Sequence, residues 1–104
     1  MGREAKLNRK TSETDVSVRI KLDGEGNYSI DTGILFLDHM LSAMAFHGNM
    51  DVDINASGDI GVDAHHTVED VAITLGSVID KALGNIESIE RYGYSTIPMD
   101  DSCA

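Results

Sequence analysis

Asp15-Val16-Ser17-Val18-Arg19-Ile20-Lys21-Leu22 sets an apolar residue at every second position against a polar partner. Side chains alternate faces along a strand, so Val16, Val18, Ile20 and Leu22 share one side while Asp15, Ser17, Arg19 and Lys21 stay wet. That is a half-buried strand, in a sheet covered on one face. The next five residues, Asp23-Gly24-Glu25-Gly26-Asn27, are turn chemistry, and Tyr28-Ser29-Ile30 resumes the extended pattern. The two segments are therefore expected to form a hairpin. The acidic turn has a faint likeness to a calcium loop, but Ile34 stands where the closing bidentate Glu belongs, so it is read as a turn. Upstream, Glu4 to Thr14 is polar but extended in character, and is expected to pair with its neighbour as another strand.

Downstream, Asp31-Thr32-Gly33 supplies helix-starting residues. From Ile34 to Phe46 the apolar positions Leu37, Met40, Leu41, Met44 and Ala45 recur at helical spacing, with Gly48 placed as a C-terminal cap. Val52, Ile54 and Ala56 alternate with Asp51, Asp53 and Asn55 as a further strand, ended by Ser57-Gly58-Asp59. A second helix opens at the histidine pair and runs to about Gly84, roughly 30 Å. Its buried stripe is expected to be Val68, Val71, Ala72, Leu75, Val78, Ile79 and Ala82. Asn85 to Glu90 is a connector, and Arg91 to Ile97 one more strand. Strands, helix, strand, helix make an α+β layer with both helices on one face of a sheet.

At 104 residues the chain is one domain at most, and 41% hydrophobic content is enough for a core, although only 5% is aromatic. A net charge of −10 argues against non-specific nucleic-acid binding, since a polyphosphate would be repelled. It leaves room for a small phosphorylated ligand, which needs only a few local cations. No stretch approaches the ~20 apolar residues of a membrane span, and no signal-peptide pattern opens the chain. Cys103 is the single cysteine, so an intramolecular disulfide is impossible. A cytoplasmic, reducing setting is the expectation.

Chemistry concentrates in His65-His66-Thr67-Val68-Glu69. On a helix His65 and Glu69, four apart, share a face and can grip one metal ion, while His66 points about 100° around the axis. A hydrated helix start with Glu69 in its first turn is the alternative. His39 and His47 lie on the first helix about 12 Å apart along the axis, too far to share an ion. His39 follows Asp38 near the helix start, whereas His47 at the helix end gains from the dipole without any further role. Imidazole and carboxylate donors without thiolate fit Mn, Fe, Zn, Co or Ni. Asp63 and Asp70 flank the cluster and could orient its imidazoles; Asp70 is equally an ordinary first-turn acid. His-Glu-x-x-His is absent, which disfavours peptide hydrolysis. Glu13 stands where one strand hands over to the next, as a general acid or base or as a solvated surface residue. Arg91 is an anion clamp or a surface salt-bridge partner.

Taken in order, Arg9-x-Thr11-x-Glu13-Thr14, Phe36-Leu37-Asp38-His39-Met40-Leu41, His47-Gly48, Gly58-Asp59, His65-His66-Thr67-Val68-Glu69-Asp70, Arg91-Tyr92-Gly93 and Pro98-Met99-Asp100 resemble the imidazoleglycerol-phosphate dehydratase family. The resemblance runs from about Arg3 to the last residue. It implies one half of the two-half ribosomal protein S5 domain 2-like fold, a mixed sheet with two helices on one face. Residues 1–90 would be a first β-β-β-α-β-α half-domain, and 91–104 the opening strand of a second half that is otherwise absent. It further implies a hydro-lyase of histidine biosynthesis that dehydrates imidazole glycerol phosphate to imidazole acetol phosphate, with two Mn2+ ions in each complete site.

Carried onto matching positions, His39, His65, His66 and Glu69 would be metal ligands. Glu13, His47 and Arg91 would meet the substrate, with Arg91 near the phosphate. Glu13 and Glu69 would be the catalytic residues, with Glu13 the candidate for proton transfer. His65 and Glu69 are expected to share one ion, His66 and His39 to serve the other. Such a ligand set cannot complete two six-coordinate ions, so a partner is implied: a homo-oligomer, pairing with itself in place of the missing half. Ala64 departs from the family, many of whose members carry another Asp there. A half-length chain is expected to be weak or inactive alone; the alternative is a non-catalytic, metal-binding, oligomerising half-domain.

Overall fold

The alternating segment becomes β2 (Thr14–Lys21), whose Val16, Val18 and Ile20 are buried while Ser17 and Arg19 face solvent. A computed structural model describes residues 3–58, 64–84, 92–94, 96, 98–99 and 102–103. In chain order its elements are β1 (Glu4–Lys10), β2, β3 (Tyr28–Asp31), α1 (Leu35–His47), β4 (Asp51–Gly58), α2 (His65–Leu83), β5 (Pro98–Met99) and β6 (Ser102–Cys103). The main sheet runs β1-β2-β4-β3. β2 is antiparallel to both neighbours and β3 is parallel to β4, so the sheet is mixed.

This order corrects the expected hairpin. β3 does not pair with β2, because β4 occupies that edge from Thr14 opposite Gly58 to Lys21 opposite Asp51. The turn residues steer the chain across the start of β4. The Asp51 carboxylate accepts from the Glu25 amide at 2.9 Å and the Asn27 amide at 3.1 Å. The Gly24 amide donates to the Asn49 carbonyl at 3.0 Å, and the Val52 amide to the Asn27 carbonyl at 3.0 Å. Gly24 is required there, since a Cβ would lie 2.5 Å from the Asp51 nitrogen. The eight-residue ladder of β2 with β4 sets Val16, Val18 and Ile20 opposite Ala56, Ile54 and Val52, an apolar surface that four-residue β3 cannot match. Parallel neighbours need a crossover, and α1 supplies it between β3 and β4.

One sheet face carries Ala5, Val16, Val18, Ile20, Val52, Ile54 and Ala56 into a core completed by Ala45, Val71, Val78 and Ala82 from the helices. α2 lies against β1 and β2, and α1 against β3 and β4. Each Val or Ile so buried contributes about 1.5–3 kcal/mol relative to exposure. Lys6, Asn8, Ser17, Arg19, Asp53 and Asn55 form the wet face.

The buried stripe of α2 is rotated from the expected one. Thr67, Asp70, Val71, Thr74, Val78 and Ala82 are buried, whereas Val68 and Ala72 are exposed. Hydrophobicity alone misplaces the stripe because three polar residues lie on it. Two of them are bonded: the Thr74 hydroxyl donates to the Asp70 carbonyl at 2.7 Å, and Asp70 is paired as described below. α1 buries Ala45 and rests Leu37 and Leu41 on the core, while the Gly48 amide closes its end on the Met44 carbonyl at 2.9 Å. Its other side leaves Leu35 85%, Phe36 66% and Phe46 59% exposed.

The strand expected over 91–97 lies partly outside the described residues; Tyr92, Gly93 and Tyr94 are exposed and not in a strand. The short β5 and β6 pair with each other. Among the described residues no helix is long and apolar enough to cross a membrane.

Candidate metal centre

The N-terminal end of α2 presents its donors to solvent. His65 Nε2 lies 3.5 Å from Glu69 Oε2, with the side chains 69% and 52% exposed. Donors about 2.1 Å from one ion and at right angles are about 3 Å apart. The observed pair therefore fits two adjacent positions on a divalent ion, and its nitrogen and carboxylate oxygen suit a borderline metal. The His66 ring, its centroid 5.8 Å from that of His65 and tilted by 61°, points away, as the helical offset requires.

The remaining expected ligands do not join them. Among the described residues no three His, Cys, Asp or Glu side chains are grouped to hold an ion, so neither His39 nor His66 adds a third donor beside His65 and Glu69. His39 is exposed on α1, in the turn after Asp38. His47 sits in the last turn of α1 and packs edge-on against Phe46, with ring centroids 5.2 Å apart. Glu13 is exposed in the bend before β2. Arg91 and Asp63 lie outside the described residues.

Beneath the donors is a buried polar joint. The Thr14 hydroxyl, from the start of β2, donates to Asp70 Oδ2, and Arg9 Nε of β1 reaches Asp70 Oδ1 at 3.2 Å. Asp70 is 7% exposed. The Thr14 hydrogen bond, then Arg9, and also the nearby His66, hold its carboxyl below the usual range against the upward push of burial. Both oxygens are thus engaged by the sheet.

Thr11 organises the bend. Its hydroxyl accepts from the Glu13 amide at 3.2 Å and the Thr14 amide at 3.1 Å, and lies 3.0 Å from the Thr14 hydroxyl. At the end of β4, Gly58 faces the same joint. A Cβ there would overlap the Thr67 hydroxyl and come within 3.0 Å of the Thr14 methyl. Thr67 Oγ1 is buried with no hydrogen-bond partner among the described residues.

A second joint of the same kind supports α1. Buried Thr32 gives its amide, at 2.9 Å, and its hydroxyl to Asp38 Oδ1, next to His39. Sequence patterning singled out Arg9, Thr11, Thr14 and Gly58 as motif residues without a role for them. The available signal was parity, because Thr14 continues the buried side of Val16, Val18 and Ile20.

Residues 32–104 match the family model described as imidazoleglycerol-phosphate dehydratase. The chain is similar to the protein of that name from Clostridium kluyveri, 59% identical over 100 residues, covering 96% of this chain and 52% of the relative. Its counterpart from Salinibacter ruber is 55% identical over 102 residues, covering 98% and 50%. A crystal structure of imidazoleglycerol-phosphate dehydratase from Staphylococcus aureus superimposes with a TM-score of 0.70 at 32% identity, covering 93% of this chain and 52% of that one. The chain spans about half the length of the curated relatives it matches.

Proposed function

The chain belongs to the imidazoleglycerol-phosphate dehydratase family, and from that premise we propose that it carries part of a manganese-dependent site for dehydrating imidazole glycerol phosphate. The single observation that supports this most directly is the His65–Glu69 pair, 3.5 Å apart one turn from each other at the exposed start of α2. His65 and Glu69 would hold one ion, and His66 and His39 would contribute to a second together with donors from elsewhere. When bound, the metal supplies Lewis acidity and a template for the imidazole of the substrate.

The chain's own residues divide the remaining work. Glu13, exposed beside the Thr11 bend, transfers a proton at the substrate. His47, at the far end of α1, meets the substrate, and Arg91 takes the phosphate, the anion best suited to a guanidinium fork. Dehydratase turnover with Mn2+, comparing the chain with a Glu13→Gln variant, tests the proposal. Turnover that falls at least tenfold in the variant supports it, and equal background rates reject it.

A second reading follows from the absence of any group of three donors among the described residues. On that view the chain is a metal-binding, oligomerising module without turnover of its own. In either case a second copy is the proposed cover for the apolar side of α1, where Leu35, Phe36 and Phe46 are exposed. The net charge of −10 and the wet outer sheet face leave nucleic acid and membrane as poor partners.

A further inference from the structure

We propose that Asp70 and Thr14 are positioning residues that lock the donor-bearing N-terminal end of α2 to the bend carrying Glu13. This rests on the proposal that His65 and Glu69 are metal ligands. Thr14 directly follows Glu13, and Asp70 directly follows Glu69. One buried hydrogen bond therefore ties the two segments at the residues adjoining their chemical groups.

The hydroxyl bookkeeping makes the joint directional. Thr14 has one hydroxyl proton and commits it to the Asp70 carboxylate, so across the 3.0 Å contact only Thr11 can donate, and the Thr11 proton is shared between Thr14 and Glu13 Oε2 at 3.4 Å. Thr11 is in turn seated by the amides of Glu13 and Thr14, which fix the shape of the bend. Arg9 adds a charge-assisted contact to Asp70 from the neighbouring strand. Gly58 completes the seat from β4, its missing side chain leaving room for Thr67 and Thr14. Two strands thus hold one carboxylate beside the proposed ligand, and a third makes room for the joint.

The Thr32–Asp38 joint beside His39 repeats the arrangement on α1. Both helices that carry expected ligands are pinned by an aspartate to a threonine near a strand end, one residue from the expected ligand.

The test compares the full chain with Thr14→Val, Thr14→Ser and Asp70→Asn variants, using Mn2+ alone as probe. Free Mn2+ is read by electron paramagnetic resonance, and amide hydrogen exchange is read without metal. Thr14→Val and Asp70→Asn should weaken Mn2+ binding by about 10–100-fold. They should also speed exchange of the Val68 to Val71 amides about tenfold or more while Val78 to Ala82 keep their rates, and Thr14→Ser should restore both.

Exchange of the Val68 to Val71 amides unchanged in Thr14→Val overturns the proposal, as does a uniform rise along α2, which would mark a merely structural bond. If exchange responds as expected but the unmodified chain binds no Mn2+, the joint stands and the assignment of His65 and Glu69 as ligands falls.

Discussion

Gly58 and Thr67 approach so closely that the backbone of β4 and the hydroxyl of α2 leave no space for a methyl group between them. The contact fixes how deeply the first turn of α2 sinks toward the sheet, and hence where His65 and Glu69 emerge. Gly58→Ala should destabilise the fold by about 1–3 kcal/mol, the usual cost of overpacking. Thr67→Ala removes the clashing hydroxyl, so the double variant should lose less than the sum of the two single changes. Urea unfolding of all four proteins checks this; strict additivity would show that the two residues do not meet.

Asp51 gives the loop between β2 and β3 a dependence on pH. The Glu25 amide first and the Asn27 amide second hold its carboxyl below the ordinary value of 3.8. A carboxyl depressed in the folded state binds its proton more readily when unfolded, so its contribution is complete above the unfolded value. That contribution is lost as pH falls through the lower folded value. Asp51→Asn keeps an acceptor but cannot titrate. The stability gap between the two proteins should be constant from pH 7 to about pH 5 and should close progressively toward pH 3, measured as urea midpoints. A gap independent of pH over that range would contradict the assignment.

Strand alternation and helix periodicity made the element types legible because they report which face is buried. Val16, Val18 and Ile20, like Val52 and Ile54, are buried where period two puts them. Strand order was not legible. Asp23 to Asn27 is equally good turn chemistry for a hairpin and for a loop that skips one strand, and the choice depends on Asp51, far along the chain. The helix stripe was misjudged for a related reason: Thr67, Asp70 and Thr74 are buried, and hydrophobicity cannot foresee that Asp70 will find Thr14 and Arg9. The His65–Glu69 proximity was legible, since it is local helix geometry. Where His39 sits relative to His66 was not, because it depends on how two helices pack.

The apolar side of α1 makes a prediction about association. Leu35 and Phe36 stand 85% and 66% exposed at the start of the helix, beyond the positions that rest on the core. A pairing surface there should be weakened by Phe36→Ser, shifting sedimentation toward monomer. Phe36 adds no buried side chain to the isolated chain, so the unfolding free energy of the monomer should change by no more than about 0.5 kcal/mol. Unchanged association in the variant would remove α1 as the covered surface.

Metal addition separates the His65–Glu69 pair from a merely solvated helix start. A ligand that binds only the folded state stabilises it by mass action, about 2.7 kcal/mol when present at 100 times its dissociation constant. Mn2+ should therefore raise the thermal midpoint of the chain, and a chelator should return it to the starting value. His65→Ala removes one of two donors 3.5 Å apart and should abolish most of that rise. The same substitution in metal-free buffer should cost little, because an exposed imidazole and carboxylate form at best a weak pair. His47→Ala, at the opposite end of α1 from His39, should leave the metal-induced rise intact. An equal rise in all three proteins would place the ion somewhere other than the first turn of α2.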